Sequence, residues 1–242
     1  MIVFVAGASG VVGQRLLPLL RQDEHQVIAT TRSPAKVAAL RAQGATPVVI
    51  DVFDRVALEQ AVVTARPDVI IHQLTDLPEV QDPAQAVAVT ENNARLRCDG
   101  SRNLMAAAQA AGVKRVVAQS IAWAYAPGEG ARAETDPLDI AAEGARAVSV
   151  GGVAALEEAV MNTPGVDGLV LRYGRFYGPG TWTPKPSGTS PLHVDAAAQV
   201  ARLAVSRGEP GIYNIAEDDG TVLIEKARRA FGFDPDFRMV TT

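Results

Sequence analysis

The stretch from Ile2 to Gly13 constrains the fold of this chain more than any other part of its sequence. Four apolar residues, Ile2 to Val5, come first, and three glycines with the spacing G-x-x-G-x-x-G follow them. A short apolar run that ends at a glycine predicts a strand buried on both faces, as in a parallel sheet. Valines and leucines at helical spacing come next. Strand, glycine turn and helix in this order predict a mononucleotide-binding unit.

The glycine turn is expected to hold the pyrophosphate of a dinucleotide. Glycines allow a tight turn, bring backbone N–H groups against the phosphates and let the helix pack closely on the strand. The N-terminus of the helix adds partial positive charge. A purely structural turn is the alternative, but the position between strand and helix favours binding. The residues predicted to touch the cofactor here are Gly7, Ser9, Gly10, Val11, Val12 and Gly13.

The end of the second predicted strand indicates which nucleotide is bound. NAD-binding units usually place Asp or Glu about 20 residues after the glycines, where the carboxylate accepts hydrogen bonds from the ribose. This chain instead has Arg32, in the sequence TTRS. A carboxylate would repel a 2′-phosphate, whereas a guanidinium can bind one in a bidentate pair. Arg32 therefore predicts NADP rather than NAD, with a solvated loop residue as the alternative.

Two further strand ends are predicted to line the cofactor site. Asp51 and Val52 follow the third strand. Asp51 is expected either to accept a hydrogen bond from the adenine amino group or to cap the helix predicted over 54–63. The residues after the fourth strand that are expected beside the cofactor are Gln73, Leu74 and Thr75.

Composition excludes several classes of function. The 242-residue chain is 48% hydrophobic and 21% charged, as expected for a globular protein, and its net charge of −4 offers no basic surface to nucleic acid. The single cysteine, Cys98, excludes an internal disulfide and a cysteine-based zinc site, and no metal is predicted. The first apolar run meets a glycine too early for a secretion signal, and no apolar stretch approaches the ~20 residues of a membrane span. We therefore expect a cytoplasmic protein.

The rest of the chain alternates predicted strands and helices without a repeat or a linker, so residues 1–242 are expected to form one body. A long helix is predicted from Asp82, as N-cap, to about Ala111, with Gly112 as its stop. Residues 173–191 are rich in Gly, Pro and Thr and are expected to form a mobile loop on the substrate side. The further strands are predicted at 26–30, 46–50, 68–72, 113–120, 168–172 and 211–215.

Several motifs in a fixed order carry a resemblance to a known family. Besides the glycine turn and Asp51, they are GSRNL at 100–104, GVKRVV at 112–117, ETDPL at 134–138, LRY at 171–173, YGPG at 177–180 and HVD at 193–195. Together they resemble the extended or atypical short-chain dehydrogenases/reductases of the NAD-dependent epimerase/dehydratase family.

This resemblance implies an α/β fold of Rossmann type: a doubly wound sheet of about seven parallel strands with helices on both faces. It also implies one NAD(P)-binding domain over 1–242, with the substrate-side elements mainly within 173–193 and 215–242. Gln119 and Tyr173 are further residues expected to contact the cofactor. The chain is short for that family, chiefly between Gly180 and His193 and after Asn214.

The departures from the family bear on the chemistry. In the family that this chain resembles, a Y-x-x-x-K pair on the helix after the fifth strand acts as the acid/base group. Counted back from Glu157, the positions of the tyrosine and the lysine hold Ser149 and Val153. Counted back from Glu158, they hold Val150 and Ala154. Neither register can do that chemistry. The two glutamates are expected to face solvent.

Two other positions on these helices are unusual. Gly151-Gly152, on the same helix as Glu157, are expected to leave room beside the nicotinamide. In the long helix, Arg97 stands where the family usually has asparagine, with Asn93 one turn earlier.

If the protein turns over substrate, its acid/base group must therefore come from another element. The candidates are Tyr125 after the fifth strand and Tyr177 after the sixth, with Ser120 supplying a hydrogen bond. The alternative for both tyrosines is that they only form the wall of a pocket.

Two classes of function remain open. The first is an NADP-dependent oxidoreductase or epimerase-like enzyme acting on a small hydroxy, carbonyl or sugar-like substrate with a displaced acid/base residue. The second is an NADP-binding redox-sensing or regulatory protein with little or no turnover. A small molecule is the expected partner, a homodimer is allowed, and neither nucleic acid nor membrane is expected.

Overall fold

A seven-stranded parallel sheet forms the centre of the protein in the computed structural model, which describes residues 1–78, 80 and 82–240. The sheet runs in the spatial order β3-β2-β1-β4-β5-β6-β9, which confirms the predicted doubly wound α/β fold. Its strands are β1 (Ile2–Ala6), β2 (Gln26–Thr31), β3 (Thr46–Val49), β4 (Val69–His72), β5 (Arg115–Ile121), β6 (Asp167–Tyr173) and β9 (Gly211–Ile215). A separate parallel pair consists of β7 (Arg175–Tyr177) and β8 (Pro191–His193).

Helices cover both faces of the sheet. They are α1 (Val11–Gln22), α2 (Val37–Ala42), α3 (Arg55–Ala65), α4 (Ala86–Arg95), α5 (Ser101–Ala110), α6 (Gly144–Asn162), α7 (Val194–Leu203) and α8 (Glu225–Phe231). No helix in the described part of the chain is long and apolar enough to cross a membrane.

Alternate residues of each central strand supply two separate cores. Val3 and Val5 of β1 pack with α1, α7 and α8, whereas Phe4 and Ala6 pack with α3, α5 and α6. Because side chains alternate across a strand, a strand with a helical layer on each side must be apolar throughout. This is why the first residues of the sequence show no polar alternation.

The long helix predicted from Asp82 to Ala111 has its expected ends but is interrupted. Asp82 caps a 3-10 turn at Pro83–Gln85 by accepting a hydrogen bond from the Ala84 N–H at 2.9 Å, and Gly112 ends α5 with φ +70°. Between α4 and α5 lies a π-helical turn, Leu96–Gly100. Such turns are rare and frequently occur at functional sites.

The segment 173–191, predicted as a mobile loop, is partly structured. β7 and β8 pair at its two ends. In between, the Trp182 indole donates to the Pro78 carbonyl at 3.0 Å, and a Cβ added at Gly180 would lie 3.9 Å from the Val11 Cγ1 atom. The segment therefore passes over the N-terminus of α1 and meets the chain after β4.

Candidate cofactor and reaction site

The strand order reverses between β1 and β4, and ligands of open α/β sheets bind at the carboxyl ends of the strands at such a point. Gly7 follows β1 with φ +85°, and a Cβ added to it would lie 2.5 Å from the carbonyl oxygen of Gln73 after β4. Only glycine fits this close approach. The two strand ends thus meet directly below the crevice.

The other two glycines of the turn have different surroundings. A Cβ at Gly13 would lie 2.4 Å from the Ala8 carbonyl oxygen, so this glycine is needed for helix–strand packing. A Cβ at Gly10 would meet only the Gly7 carbonyl oxygen, at 3.3 Å. Gly10 is also the N-cap of α1, which has no side-chain cap and no acidic residue in its first turn. The N–H groups of this helix end are therefore available to an anion, and the residues present fit a pyrophosphate.

The remaining predicted residues of the turn lie around this helix end. The Ser9 hydroxyl is 3.1 Å from the Thr31 hydroxyl at the end of β2. Val11 is partly buried and Val12 is buried, so both offer their backbone rather than their side chains to a phosphate.

Arg32 lies immediately beyond β2 with an exposed side chain and forms an ion pair with Asp76. Asp76 follows β4, and its backbone N–H donates to the Asn93 side chain at 2.9 Å. The sequence analysis missed Asp76, although an acidic residue shortly after the fourth strand was a usable signal. Arg32 therefore extends from β2 towards the chain after β4.

The cap predicted as one role for Asp51 is wrong. Asp54 caps α3 by accepting a hydrogen bond from the Ala57 N–H at 3.0 Å, whereas Asp51 is exposed and accepts from the Phe53 N–H at 2.9 Å. Two residues lie between Asp51 and Asp54, and only Asp54 directly precedes the first helical turn. The neighbouring Val52 is buried, with its carbonyl oxygen accepting from Asn103.

Gln73 and Tyr173 form a buried pair. The Gln73 amide donates to the Tyr173 hydroxyl at 3.3 Å, and that hydroxyl donates to the Ala197 carbonyl at 3.3 Å. Tyr173 is 0% exposed, and burial raises its pKa. The ring of Tyr173 therefore belongs to the core, and its contact with a cofactor remains a prediction. The Gln73 Oε1 atom is buried and has no partner among the described residues, so it is free to accept a hydrogen bond from a ligand.

Leu74, Thr75 and Gln119, which are also predicted to line the cofactor site, are half-buried. Leu74 donates its N–H to His72 Nδ1 at 3.3 Å, while Thr75 follows it and Gln119 lies on β5. His72 itself is fully buried, with Nε2 2.9 Å from the Ser101 hydroxyl, and burial lowers its pKa to about 4. His72 is thus a neutral structural residue that fixes the chain after β4.

A buried ion pair joins α6 to β6. The Arg172 guanidinium on β6 donates from Nε and Nη2 to Glu157 at 2.9 and 2.7 Å, and the Ser120 hydroxyl donates to the same carboxylate at 2.7 Å. Glu157 is 5% exposed, so the expectation that both glutamates face solvent is wrong for Glu157 and holds for Glu158. The reason is that Arg172, itself buried, requires a carboxylate.

Tyr125 belongs to the same network. Its hydroxyl donates to the Asn214 side chain at 2.6 Å, and the Arg172 guanidinium lies over its ring at 4.8 Å from the centroid. Burial raises the Tyr125 pKa. Ser120 and Tyr125 are thus brought together, but both hydroxyl groups already have protein partners.

Tyr177 lies in a different cluster. Its hydroxyl donates to Glu217 and accepts from Arg238 at 2.7 Å, and its ring stands edge-on to His193. Burial, with Glu217 beside it, raises the Tyr177 pKa to about 12. The three predicted catalytic hydroxyls therefore do not converge, and their catalytic role remains a prediction.

The glycine pair of α6 does not leave the expected room. A Cβ at Gly152 would lie 2.8 Å from the Ala94 Cα atom, so α4 fills this space, while Gly151 is exposed. One turn nearer the crevice, the Arg97 Nη1 atom donates to the Ser149 hydroxyl at 3.5 Å. A polar contact between α6 and the π-helical turn thus lies at Ser149, one of the positions where the family's tyrosine is expected.

Comparison with known proteins agrees with this geometry. The NAD dependent epimerase/dehydratase family matches residues 3–210. The chain is 42% identical to a Streptomyces 3-diazoavenalumate denitrifying reductase, over 90% of this chain and 77% of that one. It is 26% identical to quinone oxidoreductase 2 of Escherichia coli strain K12, over 93% of this chain and 72% of that one.

Solved structures show the same fold. A UDP-glucose 4-epimerase from Thermotoga maritima superposes with a TM-score of 0.78 at 18% identity, covering 98% of this chain and 94% of that one. A dTDP-glucose 4,6-dehydratase from Streptomyces venezuelae with NAD bound also gives 0.78, at 19% identity and covering 98% and 93%. The glycine turn, the sheet order and these matches support a nicotinamide dinucleotide as the cofactor class. The chain belongs to the NAD dependent epimerase/dehydratase family and is an oxidoreductase-like member of it.

Proposed function

We propose that this protein is an NADPH-dependent reductase that directs hydride to a small, electron-poor acceptor without supplying a proton from α6. The observation that carries the proposal is the state of that helix. It has neither tyrosine nor lysine, and the carboxylate of Glu157 is committed to Arg172 and Ser120. A reaction that depends on a proton donor beside the cofactor is poorly served by such a site.

The residues that would hold the cofactor are those of the glycine turn and the strand ends. The N-terminus of α1 would bind the pyrophosphate at Gly10, and the free Oε1 atom of Gln73 would accept a hydrogen bond. When bound, the reduced nicotinamide supplies the hydride. We propose the same role for Ser9, Val11, Asp51 and the chain from Gln73 to Thr75.

We further propose that NADP is preferred over NAD. Arg32 at the end of β2 supports this preference, and Lys36, at the end of the 3-10 turn that follows, adds a second cation. In the free protein Asp76 holds the Arg32 guanidinium. A 2′-phosphate would replace that carboxylate as the partner, since it offers more charge and more acceptor oxygens.

The names of the two relatives favour an electron-poor acceptor. One is a denitrifying reductase named for a diazo compound, and the other is a quinone oxidoreductase. When an aryl diazonium carbon accepts hydride, a C–H bond forms, the C–N bond breaks and N2 leaves with that electron pair, so no proton is required. A quinone that accepts hydride becomes a phenolate, which water can protonate. Either acceptor suits a site without an acid on α6.

The displaced acid/base residues remain the alternative within this proposal. Single Tyr177→Phe, Tyr125→Phe and Ser120→Ala variants measure how much each hydroxyl contributes. A loss of about 10²-fold or more in kcat would assign general acid/base catalysis to that residue. With diazonium or quinone acceptors we expect all three variants to stay within a few-fold of the parent, because these hydroxyls already bond to protein groups.

Consumption of the reduced cofactor tests the proposal directly. The purified protein is incubated with NADPH and, in turn, an aryl diazonium salt, a benzoquinone, an aldehyde and UDP-glucose. We expect turnover with the first two above the rate without protein. Deuterium from the reduced carbon of labelled NADPH should appear in the product from the diazonium salt. Cofactor binding without turnover of any acceptor would instead support the redox-sensing alternative, and turnover of UDP-glucose alone the epimerase-like one.

The domain organisation is part of the same proposal. We infer one domain over 1–242 whose substrate side is built from 173–193 and 215–242. The contacts of Tyr177 with Glu217 and Arg238 support this, because they join the two segments. The oligomeric state, with a homodimer as the form to test, is measurable by light scattering.

A further inference from the structure

Arg97 lies at the level of the crevice, above the carboxyl ends of the strands. Ser101, one turn further along the same helix, bonds to His72, the last residue of β4. Since α5 leads down to the amino end of β5, Arg97 must lie beyond the end of β4. The π-helical turn Leu96–Gly100 interrupts the helix at this level.

Ser149 approaches the same level from the other side. Glu157 bonds to Ser120 near the end of β5, and Ser149 lies about two turns, or ~12 Å, earlier in α6, on the side of the crevice. The Arg97 Nη1 atom donates to the Ser149 hydroxyl at 3.5 Å. In the described residues this hydroxyl has no acceptor for its own hydrogen.

The Arg97 side chain is half-buried and has no carboxylate partner in the described part of the chain. Burial lowers its pKa to about 10. Two acidic residues nearby in sequence or structure are committed elsewhere: Asp99 pairs with Arg102, and Asp76 pairs with Arg32. An anionic group of a ligand bound in the crevice would supply the missing partner, because a partly desolvated guanidinium gains from a charge-assisted hydrogen bond.

We propose that Arg97, with Ser149, binds a carboxylate group of the substrate, so that the acceptors of this protein are carboxylic acids. The inference rests on the proposed function for the identity of the reducible group. The guanidinium fork and the Ser149 O–H are donors in number and kind suited to two carboxylate oxygens. The phosphates of the cofactor have separate partners at α1 and Arg32. Arg97 would thus hold the acceptor by an end that does not react.

Calorimetric binding tests this without turnover. Benzoate, phenylacetate and cinnamate are each titrated against their methyl esters into the protein saturated with NADP+. We expect at least one acid to bind tenfold or more tightly than its ester. Arg97→Met should abolish this preference, Arg97→Lys should keep part of it, and Ser149→Ala should weaken it a few-fold. Arg102→Met, an exposed arginine on the next turn, is the matched control and should behave as the parent.

Several results would overturn the proposal. It fails if no acid is preferred to its ester, if the preference survives in Arg97→Met, or if phenyl phosphate binds more tightly than the acids. It also fails if Arg97→Met weakens NADP+ itself, since Arg97 would then hold the cofactor. Thermal unfolding excludes a merely structural role: we expect Arg97→Met to melt no lower than the parent, and a lower melting temperature would contradict us. Failure of the reductase proposal is distinguishable, because it concerns turnover and leaves this binding preference intact.

Discussion

The two sides of the crevice differ in whether their polar groups have partners within the protein. On the nucleotide side, within the described residues, the N-terminus of α1 has no side-chain cap and the Gln73 Oε1 atom has no partner, and a Cβ at Gly10 would meet only the Gly7 carbonyl oxygen. On the side of β5, α6 and β6, the polar groups of Glu157 and Arg172 bond to each other within the protein. The first side is built to receive a ligand, whereas the second has become part of the structural core. This chain has therefore kept the means to bind a cofactor, while the part of α6 around Glu157 has taken on a structural role.

The largest effect is expected on the free energy of unfolding when the buried pair of Glu157 and Arg172 is broken. Glu157→Ala leaves Arg172 buried without a counterion and the Ser120 hydroxyl without its acceptor. We expect a loss of about 3–5 kcal/mol in the free energy of unfolding, measured by urea titration. Glu158→Ala, on the exposed side of the same helix, is the control and should change stability by less than about 0.5 kcal/mol. Equal effects of the two variants would refute the structural role of the buried pair.

His72, the last residue of β4, should make the stability of the folded protein depend on pH. Its pKa is about 4 in the folded protein against 6.5 for a free histidine, so the unfolded chain binds more protons between these values. Stability should therefore rise with pH across this window, and acidification from 6.5 to 4 should cost up to about 3 kcal/mol from this residue.

A variant isolates the contribution of His72. In His72→Gln this part of the slope should disappear from urea titrations at a series of pH values, whereas His25→Gln, at a half-buried turn, should retain it. An unchanged slope in His72→Gln would show that another group causes the dependence.

The open side is tested at its glycines. Gly10→Val places a side chain where the phosphates should approach, and we expect NADP affinity to fall at least ~100-fold, or about 3 kcal/mol. The circular-dichroism spectrum should be largely kept. Gly13→Val is the matched variant, and it should instead lower stability, because its Cβ would collide with the Ala8 carbonyl. Undiminished binding by Gly10→Val would mean that the phosphates bind elsewhere.

The smallest expected effect concerns the choice of nucleotide. Arg32→Asp should weaken NADP binding by about 1.5–3 kcal/mol without weakening NAD to the same extent, since a charge-assisted contact to the 2′-phosphate is lost. Titration calorimetry with both nucleotides measures this. Arg41→Asp makes the same change of charge at an exposed position of α2 and should affect both nucleotides little. Equal or better NAD affinity in the unmodified protein would contradict the preference.

Local patterns in the sequence determined the frame of this protein. The apolar runs predict all seven strands of the main sheet, and their carboxyl ends locate the crevice. Asp82 and Gly112 mark the ends of the long helix because capping and left-handed backbone depend on a few adjacent residues. The loss of tyrosine and lysine from α6 is likewise a fact of sequence alone.

Only the tertiary structure decided which side chains are free. Glu157 and Glu158 are adjacent on α6 and identical in chemistry, yet the first is buried because Arg172, fifteen residues away on β6, needs its charge. Tyr173, predicted at the cofactor site, has a buried ring that packs in the core beneath α7. The π-helical turn that carries Arg97 was not predicted from the sequence pattern, and the structure places it against α6. Sequence periodicity reports on neighbours along the chain, whereas charge pairing and burial depend on partners that only folding brings together.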